Sequence, residues 1–223
     1  MRKPFAAALL AALPFAAVLL SAACSDGDDV APAYIQELAD VATGADGLPQ
    51  RLERDNGETC AVLFAAGVKA LRADTLYRAA VAYTRGDGGV SVASVSTFLA
   101  PAPREYPAET LVLDKPVEKV AACWSSGKYL NFKLSLLTEN SVSHAFAFHE
   151  AGLRQNADGT RTLRLRLLHQ QSGDAAYYTR TAYVSLPLSQ LSGRLRRGTD
   201  SVSVTVSTSA GSTAYTRLYA AAE

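Results

Sequence analysis

Apolar and polar residues alternate along most of the chain after residue 34, and turn residues interrupt this alternation about every ten positions. A period of two residues is typical of β-strands with one buried face, whereas the spacing of an amphipathic helix is almost absent. The pattern therefore predicts an all-β protein.

The first half of the chain predicts five or six strands joined by glycine-rich turns. Asn56-Gly57 readily takes positive φ and marks one hairpin, and the glycine-rich residues 85–89 mark a second. Residues 65–75 are the stretch most compatible with a helix, but Gly67 lies inside it, which favours a loop or short strands. Strands of this number and length suit a small β-barrel.

The second half predicts six further strands. Three of them keep their apolar residues on one face, and these residues are Leu130, Phe132, Leu134 and Leu136, then Leu163, Leu165 and Leu167, then Val202, Val204 and Val206. Short strands with glycine-rich turns in about a hundred residues are typical of a β-sandwich.

Three prolines, Pro101, Pro103 and Pro107, separate the two halves. Proline has no N–H to donate, so such a stretch continues neither a helix nor a central strand. We therefore expect an N-terminal β domain over residues 34–107 and a C-terminal β-sandwich domain over residues 108–223.

The amino terminus has the layout of a secretory signal peptide over residues 1–23, with Arg2 and Lys3 before an uncharged stretch over residues 5–20. That stretch is too short and too rich in alanine to be a comfortable membrane span. Small residues directly before Cys24 resemble the lipobox of bacterial lipoproteins, which implies a mature chain that begins at Cys24 and carries acyl groups there. Ser21 departs from the lipobox, which prefers leucine at that place, and an ordinary signal peptide cut nearby is the alternative.

Residues 24–33 predict a flexible acidic tether, because Asp26, Asp28 and Asp29 lie there without an apolar segment to bury. An acidic cluster behind the lipid-bearing cysteine resembles the surface-export signals of Bacteroidetes lipoproteins. We therefore expect a cell-envelope protein that is anchored to the outer membrane by lipid and faces either the periplasm or the cell surface.

The charge balance excludes one class of partner. The sequence carries 22 Lys and Arg against 21 Asp and Glu, a net charge of +1, and its apolar content of 48% is that of a globular protein. Arg2 and Lys3 belong to the predicted signal peptide, so the remaining chain is close to neutral. A nucleic-acid-binding protein would show a basic surplus or a basic stripe, so we expect no nucleic-acid partner.

Two cysteines remain once Cys24 is assigned to the lipid. In an oxidising envelope Cys60 and Cys123 could form a disulfide. Both lie in apolar, strand-like segments, where free cysteine behaves as a small hydrophobic residue, and this is the favoured interpretation. No Cys-x-x-Cys or Cys/His spacing predicts zinc, and we expect neither a metal nor a cofactor.

The residues that enzymes use are present without the spacing that catalysis needs. His144 and His149 are five residues apart, so they project to opposite faces of one strand and cannot share a metal ion. His169 is expected at a turn or sheet edge, hydrogen bonded to Asp174. No Gly-x-Ser-x-Gly motif is present, and the acidic residues of the second half fall mostly in turns. The sequence therefore predicts no enzyme.

Two sets of residues are compatible with glycan binding. The basic residues 194–197 could meet an anionic glycan, although a solvated surface loop is favoured. Five tyrosines could form a stacking platform, and these are Tyr177, Tyr178, Tyr183, Tyr215 and Tyr219. Tyrosine is common in strands, so a packing role is favoured for them.

Several motifs resemble the NigD-like family of Bacteroidetes lipoproteins. The specific ones lie in the second half, at residues 126–131 (SGKYLN), 168–169, 173–174 and 183–186, together with His144. Looser matches are Asp46-Gly47, residues 55–58 and residues 76–78, and Gln170 departs from the asparagine that family members often have. The resemblance implies an N-terminal OB-like barrel followed by a C-terminal immunoglobulin-like β-sandwich.

The resemblance implies location and architecture more than chemistry. No enzymatic activity defines the family, and its link to bacteriocins comes from the locus of the founding member. We therefore expect a non-enzymatic, lipid-anchored envelope protein with a binding or accessory role, held at the membrane through Cys24 and engaging an envelope protein. The alternative is a glycan-binding accessory lipoprotein of the outer membrane, which predicts exposed aromatic side chains along a groove.

Overall fold

Alternating apolar and polar residues form twelve strands in the computed structural model, which describes residues 34–112, 114–139, 143–171 and 178–220. The strands are β1 (Ile35–Thr43), β2 (Pro49–Arg54), β3 (Thr59–Phe64), β4 (Leu76–Gly86), β5 (Gly89–Thr97), β6 (Lys119–Ser125), β7 (Tyr129–Thr138), β8 (His144–Gln155), β9 (Arg161–Gln171), β10 (Tyr178–Pro187), β11 (Ser201–Thr208) and β12 (Gly211–Leu218). The prediction of an all-β fold is confirmed.

Few of the described residues are helical. The one α-helical turn, α1 (Ala108–Leu111), precedes β6, and a 3₁₀ helix (Leu188–Leu191) follows β10. No helix among these residues has the length and apolar character needed to cross a bilayer. The predictions for the signal peptide, the tether, Cys24 and Asp174 concern positions outside the described residues.

The first five strands close into a barrel in the order β1-β2-β3-β5-β4. Strands β3 and β5 pair in parallel, and the other neighbours pair antiparallel. Alternate side chains fill the interior, and these are Ala39, Val41, Leu52, Cys60, Ala79, Val81, Tyr83, Val90 and Val92. A closed barrel of five strands with this crossover is the OB-like architecture that the family resemblance implied.

Both predicted hairpins of the barrel are confirmed, and residues 65–75 form a loop as expected. Gly57 has a φ of 87° at the tip of the first hairpin, and Gly47 has a φ of 76° in the turn after β1. A side chain at Gly47 would place its Cβ 2.2 Å from the carbonyl oxygen of Leu71. Asp46-Gly47 therefore fixes the contact between the β1–β2 turn and the loop that closes this end of the barrel.

The remaining strands form a sandwich of two sheets, ordered β10-β7-β6 and β12-β11-β9-β8. Its core contains the three apolar rows predicted on β7, β9 and β11, and every one of those side chains is at most 2% exposed. Phe148, Val184 and Leu186 pack between the sheets with them. The β-sandwich expected for the second half is confirmed.

The proline-rich connection between barrel and sandwich is bonded to both sheets. Leu99 forms a parallel bridge with Val184 on β10, and Arg104 forms one with His149 on β8. Farther along, Val117 bridges Thr208 on β11. The prolines prevent a continuous strand here, as expected, but the segment still covers sheet edges, and residues 33–223 form one compact unit. The boundary between residues 107 and 108 stays a prediction.

The alternative of a disulfide between Cys60 and Cys123 is not found, because both thiols are free. Cys60 lies in the barrel core, whereas Cys123 on β6 packs against the separate core of the sandwich. Burial raises the pKa of Cys123 to about 11, so its thiol is protonated at neutral pH. Each cysteine thus fills its own core as a small hydrophobic residue.

Candidate functional site

A buried arginine joins the barrel to the sandwich. Arg78 on β4 points out of the barrel, yet its side chain is only 2% exposed because the sandwich covers it. Its guanidinium donates to both carboxylate oxygens of Asp55, at 2.5 and 2.7 Å, and lies 3.4 Å from Asp40 on β1. Two barrel carboxylates therefore hold the positive charge of Arg78 in place.

The sandwich supplies neutral partners to the same guanidinium. Nη2 of Arg78 donates to Oδ1 of Asn131 on β7 at 3.1 Å, and Nε lies 3.5 Å from Oγ of Ser185 on β10. Ser185 Oγ donates to the same Asn131 oxygen at 2.6 Å, and Asn131 Nδ2 donates to Ser126 Oγ at 2.8 Å. Asn131 and Ser185 are fully buried, and these bonds satisfy their side chains.

Tyr129 and Lys128 close the junction from the sandwich side. The guanidinium carbon of Arg78 lies 3.9 Å from the centre of the Tyr129 ring, a cation–π contact. The Tyr129 hydroxyl donates to both oxygens of Asp40, at 3.0 and 3.1 Å, and Lys128 pairs with Glu53 on β2. Burial raises the pKa of Asp40 and of Tyr129, and the contacts with Arg78 oppose this rise.

This junction explains four of the motifs that resemble the NigD-like family. Residues 126–131 supply Ser126, Lys128, Tyr129 and Asn131, and residues 183–186 supply Ser185. Arg78 and Asp55 come from two of the three looser matches in the first half, residues 76–78 and residues 55–58. These motifs therefore fix the barrel against the sandwich.

A cleft opens directly beside the buried junction, where the two walls diverge. On the barrel, the row Asp40–Arg78 is followed by Leu38–Ala80 and then by Gln36–Ala82. On the sandwich, the row Asn131–Ser185 is followed by Lys133–Tyr183. We call the space between these walls the interdomain cleft. It has a volume of about 650 Å³ and is lined by Gln36, Glu37, Leu38, Asp55, Ala80, Val81, Ala82, Ser94, Ser96, Trp124, Lys133 and Tyr183.

The two carboxylates of the interdomain cleft are both engaged. Glu37 accepts from Arg54 at 2.6 and 3.0 Å and from the hydroxyl of Tyr83 at 2.7 Å. Burial favours the neutral form of Glu37, but these hydrogen bonds outweigh burial and lower its pKa. Asp55 is held by Arg78. Both carboxylates are therefore occupied by arginine partners.

The sandwich wall of the cleft carries its aromatic side chains. Trp124 on β6 lies opposite Asn131, and Tyr183 on β10 lies opposite Lys133. The Tyr183 ring packs against Phe98 with the ring centres 5.7 Å apart. All three lining side chains of this wall, Trp124, Lys133 and Tyr183, are half-buried. This wall presents two ring systems and one cation to the cleft.

Two of the three histidines form a stacked pair at one end of the sandwich core. His144 Nδ1 lies 2.9 Å from His169 Nε2, and the ring centres are 5.2 Å apart with nearly parallel planes. Phe146 stacks on the other side of His169, and His144 Nε2 reaches Thr138 Oγ1 at 3.0 Å. The expected turn or edge position of His169 is wrong, because it is 2% exposed in β9, which pairs on both sides.

His149 lies on the opposite face of β8 from His144, as its spacing predicted. Its Nδ1 accepts the backbone N–H of Tyr106 at 3.1 Å, which ties the proline-rich connection to the sheet. No group of three or more potential ligands that could hold a metal occurs in the described part of the chain. None of the three histidines lines the interdomain cleft.

The stacked histidine pair makes stability depend on pH. Burial lowers the pKa of His144 and of His169 below the ordinary value of 6.5, so the folded protein keeps both rings neutral. As pH falls below 6.5 the unfolded chain binds protons that the folded chain does not, so the free energy of unfolding should fall between pH 7.5 and 5.5. Urea denaturation at these pH values checks this. The double variant His144→Gln/His169→Gln should lose most of the slope, and an unchanged slope would contradict the assignment.

The basic residues 194–197, for which a glycan patch was the alternative to a solvated loop, have structural partners. Arg194 pairs with Glu150, and Arg196 pairs with the buried Asp200 at 3.1 Å. Arg197 lies over the ring of Tyr219, which is itself buried. The segment is a loop, as the favoured interpretation expected. It is not simply solvated, however, because ion pairs anchor it to the sandwich.

Of the tyrosines proposed as a platform, Tyr183 alone reaches the interdomain cleft among the described ones. Tyr215 packs edge-on against Phe132, and Tyr219 is fully buried. Tyr177 lies outside the described residues. The packing role favoured for Tyr215 and Tyr219 is confirmed.

Trp124 and Lys133 were not identified from the sequence, although both line the cleft. A weak signal existed for Lys133, since it is the one charged residue of β7. The alternation on β7 placed it opposite the buried leucines, but only the position of the barrel shows that this face forms a wall.

No curated protein matches the chain, but several solved structures share its fold. A NigD-like immunity protein from Bacteroides caccae is 26% identical, with a TM-score of 0.65 over 82% of this chain and 91% of that one. A protein of unknown function from Bacteroides vulgatus is 16% identical, with a TM-score of 0.62 over 84% and 91%. A candidate lipoprotein from Bacteroides fragilis is 10% identical, with a TM-score of 0.61 over 86% and 100%, and these last two show the fold alone.

The family assignment rests on the sequence of the sandwich domain. Residues 103–219, which begin within the proline-rich connection and extend through β12, match the sequence model of the NigD-like C-terminal β-sandwich domain. The match contains Tyr129, Asn131 and Ser185 of the buried junction. It covers more than half of the chain, and together with the fold it shows that this protein belongs to the NigD-like family.

Proposed function

We propose that this protein is a non-enzymatic, lipid-anchored protein of the cell envelope that binds its partner in the interdomain cleft. The observation that carries the proposal is the cleft itself, which lies directly beside the ion-paired Arg78 junction. A site whose walls are fixed before binding does not have to order them when the partner arrives, which favours affinity.

The chemistry of the cleft supports binding over catalysis. A general acid or base needs a group free to exchange its proton near neutral pH. Glu37 and Asp55 are both engaged by arginines, and hydrogen bonds keep the pKa of Glu37 below its ordinary value. The serines that line the cleft, Ser94 and Ser96, lie on β5 without a histidine beside them in the cleft.

The location in the envelope is proposed from the amino terminus. Arg2, Lys3 and the uncharged stretch that follows are typical of an exported chain, and Cys24 stands where lipoproteins carry their acyl groups. Several acyl chains bury enough CH₂ groups, at about 0.8 kcal/mol each, for stable anchoring. The tether over residues 24–33 would then hold the folded part away from the membrane.

The variant Cys24→Ala tests the anchor. We expect the protein to move from the membrane pellet to the soluble fraction, because the acyl groups have no other attachment point. Cell fractionation followed by immunoblotting measures this, and Cys60→Ala, which changes a cysteine in the barrel core, is the matched control. Unchanged pelleting of the Cys24→Ala protein would contradict lipid anchoring.

A glycan is the second candidate for the partner, and one observation favours it. Trp124 and Tyr183 present their rings to an open cleft, and sugar rings stack on such side chains. An envelope protein is the first candidate because the family resemblance implies an accessory role.

A further inference from the structure

We propose that the interdomain cleft binds an acidic oligosaccharide, that is, a chain of sugar rings that bear carboxylate or sulfate groups. This inference rests on the proposed function of the cleft as a binding site and selects the second candidate partner. It follows from three features of the walls: their unused polar groups, their aromatic rings and their one unpaired charge.

The barrel wall of the cleft consists mainly of small or polar side chains. Ala80 and Ala82 on β4 form its floor, flanked by Ser96 and Ser94 on β5 and by Gln36 on β1. Gln36, Ser94 and Ser96 are exposed, and their side chains have no hydrogen-bond partner within the part of the chain described. Amide and hydroxyl groups both donate and accept, as the many hydroxyl groups of a saccharide require.

The sandwich wall offers stacking surfaces. The strand register puts Trp124 and Tyr183 on the same outer face of the three-stranded sheet, with β7 between their strands. Neighbouring strands are about 4.8 Å apart, and Tyr183 lies in the row of Lys133 whereas Trp124 lies in the row of Asn131, so the two side chains start about 12 Å apart. Rings at this separation can engage two units of an extended chain, which favours an oligosaccharide over a single sugar.

The charge of the cleft selects an anionic ligand. Glu37 pairs with Arg54, while Asp55 shares Arg78 with the buried Asp40, which also lies 3.7 Å from Lys128. Lys133 lies between the strands of Trp124 and Tyr183 and has no ion-pair partner among the described residues. The lysine side chain beside these rings is placed to meet a carboxylate or sulfate on a bound sugar.

Intrinsic fluorescence provides a direct test, because Trp124 is the one tryptophan of the sequence. The full-length protein should show a saturable change with tetragalacturonate or with a κ-carrageenan tetrasaccharide, which bears sulfate but no carboxylate, and an affinity at least tenfold weaker for neutral cellotetraose. Comparison of the two acidic probes distinguishes a carboxylate from a sulfate ligand. Binding should weaken as salt is raised.

The variant Lys133→Gln keeps the size and polarity of the side chain but removes its charge. It should weaken binding of the acidic probe about tenfold or more, while Arg197→Gln, which removes a cation at Tyr219, should leave binding unchanged. Equal affinity for acidic and neutral probes, full affinity in Lys133→Gln, or no saturable response to either acidic probe would overturn the inference.

A photocrosslinking residue in place of Ser94 distinguishes failure of the acidic-oligosaccharide inference from failure of the proposed binding function of the cleft. The control is the same residue at Ser212, which faces outward on β12. Suppose that the residue at Ser94 captures an envelope protein in cells at a higher yield than the control, while no acidic saccharide binds. The proposed ligand class is then wrong, but the cleft is still a binding site. If neither assay gives a signal, both the inference and the binding role of the cleft are wrong.

Discussion

Replacing Arg78 with methionine should lower the free energy of unfolding by about 3–5 kcal/mol, the cost of removing one partner from a buried ion pair. Methionine preserves most of the volume and the apolar stem but leaves Asp40 and Asp55 without their cation. Asn131 and Ser185 also lose their donor from the barrel. This decrease in the free energy of unfolding should exceed the decrease caused by breaking any exposed ion pair of the described residues.

Urea denaturation followed by fluorescence and circular dichroism measures the effect, and Arg85→Met is the matched control. Arg85 also pairs bidentately with a carboxylate, Glu58, but its side chain is 47% exposed and the pair is screened by solvent, so its loss should cost far less than that of Arg78. Equal losses in the two variants would show that the buried junction adds nothing to stability.

The Arg78→Met protein has a second expected property. Because the barrel and the sandwich have separate cores, weakening their junction should let them unfold in separate steps. The tryptophan signal reports the sandwich, since Trp124 lies on β6, while circular dichroism reports both sheets. Transitions that coincide in the wild type and diverge in the variant would identify Arg78 as the source of cooperativity between the two halves.

The sequence predicted those parts of the fold that depend on neighbouring residues. Alternation placed Leu130, Phe132 and Val204 on buried faces because a strand has only two faces, and burial of one fixes the other. Asn56-Gly57 predicted its hairpin because positive φ is a property of a single residue. These features need no knowledge of distant partners.

Strand β6 is not among the six strands predicted for the second half, although the segment around Cys123 was described as strand-like, and its composition explains why. Its residues read KVAACWS, and its side chains are mostly exposed or half-buried, so the alternation is weak. It is an edge strand of the three-stranded sheet and contributes Val120 and Cys123 to the periphery of the core. Packing against β7, rather than its own pattern, makes this segment a strand.

The interdomain cleft could not be predicted because its walls are far apart in sequence. Arg78 and Asn131 are 53 positions apart, and Arg78 and Ser185 are 107 apart. The motifs that indicated the family contain these residues, but a motif does not show that its polar side chains meet a buried arginine. Similarly, the spacing of His144 and His169 gave no sign of their stacking, which depends on the pairing of β8 with β9.

Stability and binding are connected through the order of residues along β4 and β7. On each strand one polar residue is buried at the junction, Arg78 or Asn131, and the next outward-facing residue on that strand, Ala80 or Lys133, lines the cleft. A change at the junction would therefore alter the separation of the walls two residues away. Variants at Arg78 should be assayed for ligand binding only under conditions where they are fully folded.

Replacing Phe132 with alanine should also cost about 3–5 kcal/mol, but through loss of packing instead of charge. Phe132 is completely buried on β7, where its ring lies 6.2 Å from that of Phe148 and meets Tyr215 edge-on at 6.0 Å. Removing the ring leaves a cavity between the two sheets, because Phe148 and Tyr215 belong to different strands of the opposite sheet and cannot both collapse into the space.

Leu137→Ala is the control for Phe132→Ala, since Leu137 lies on the same strand with 36% of its surface exposed, and we expect a loss well below that at Phe132. The free energy of unfolding from urea denaturation measures both. The Phe132→Ala loss should appear in the transition of the sandwich reported by Trp124, which lies on the strand next to β7. A loss below about 1.5 kcal/mol would show that the sheets repack around the cavity, and the apolar row on β7 would then not be the centre of the sandwich core.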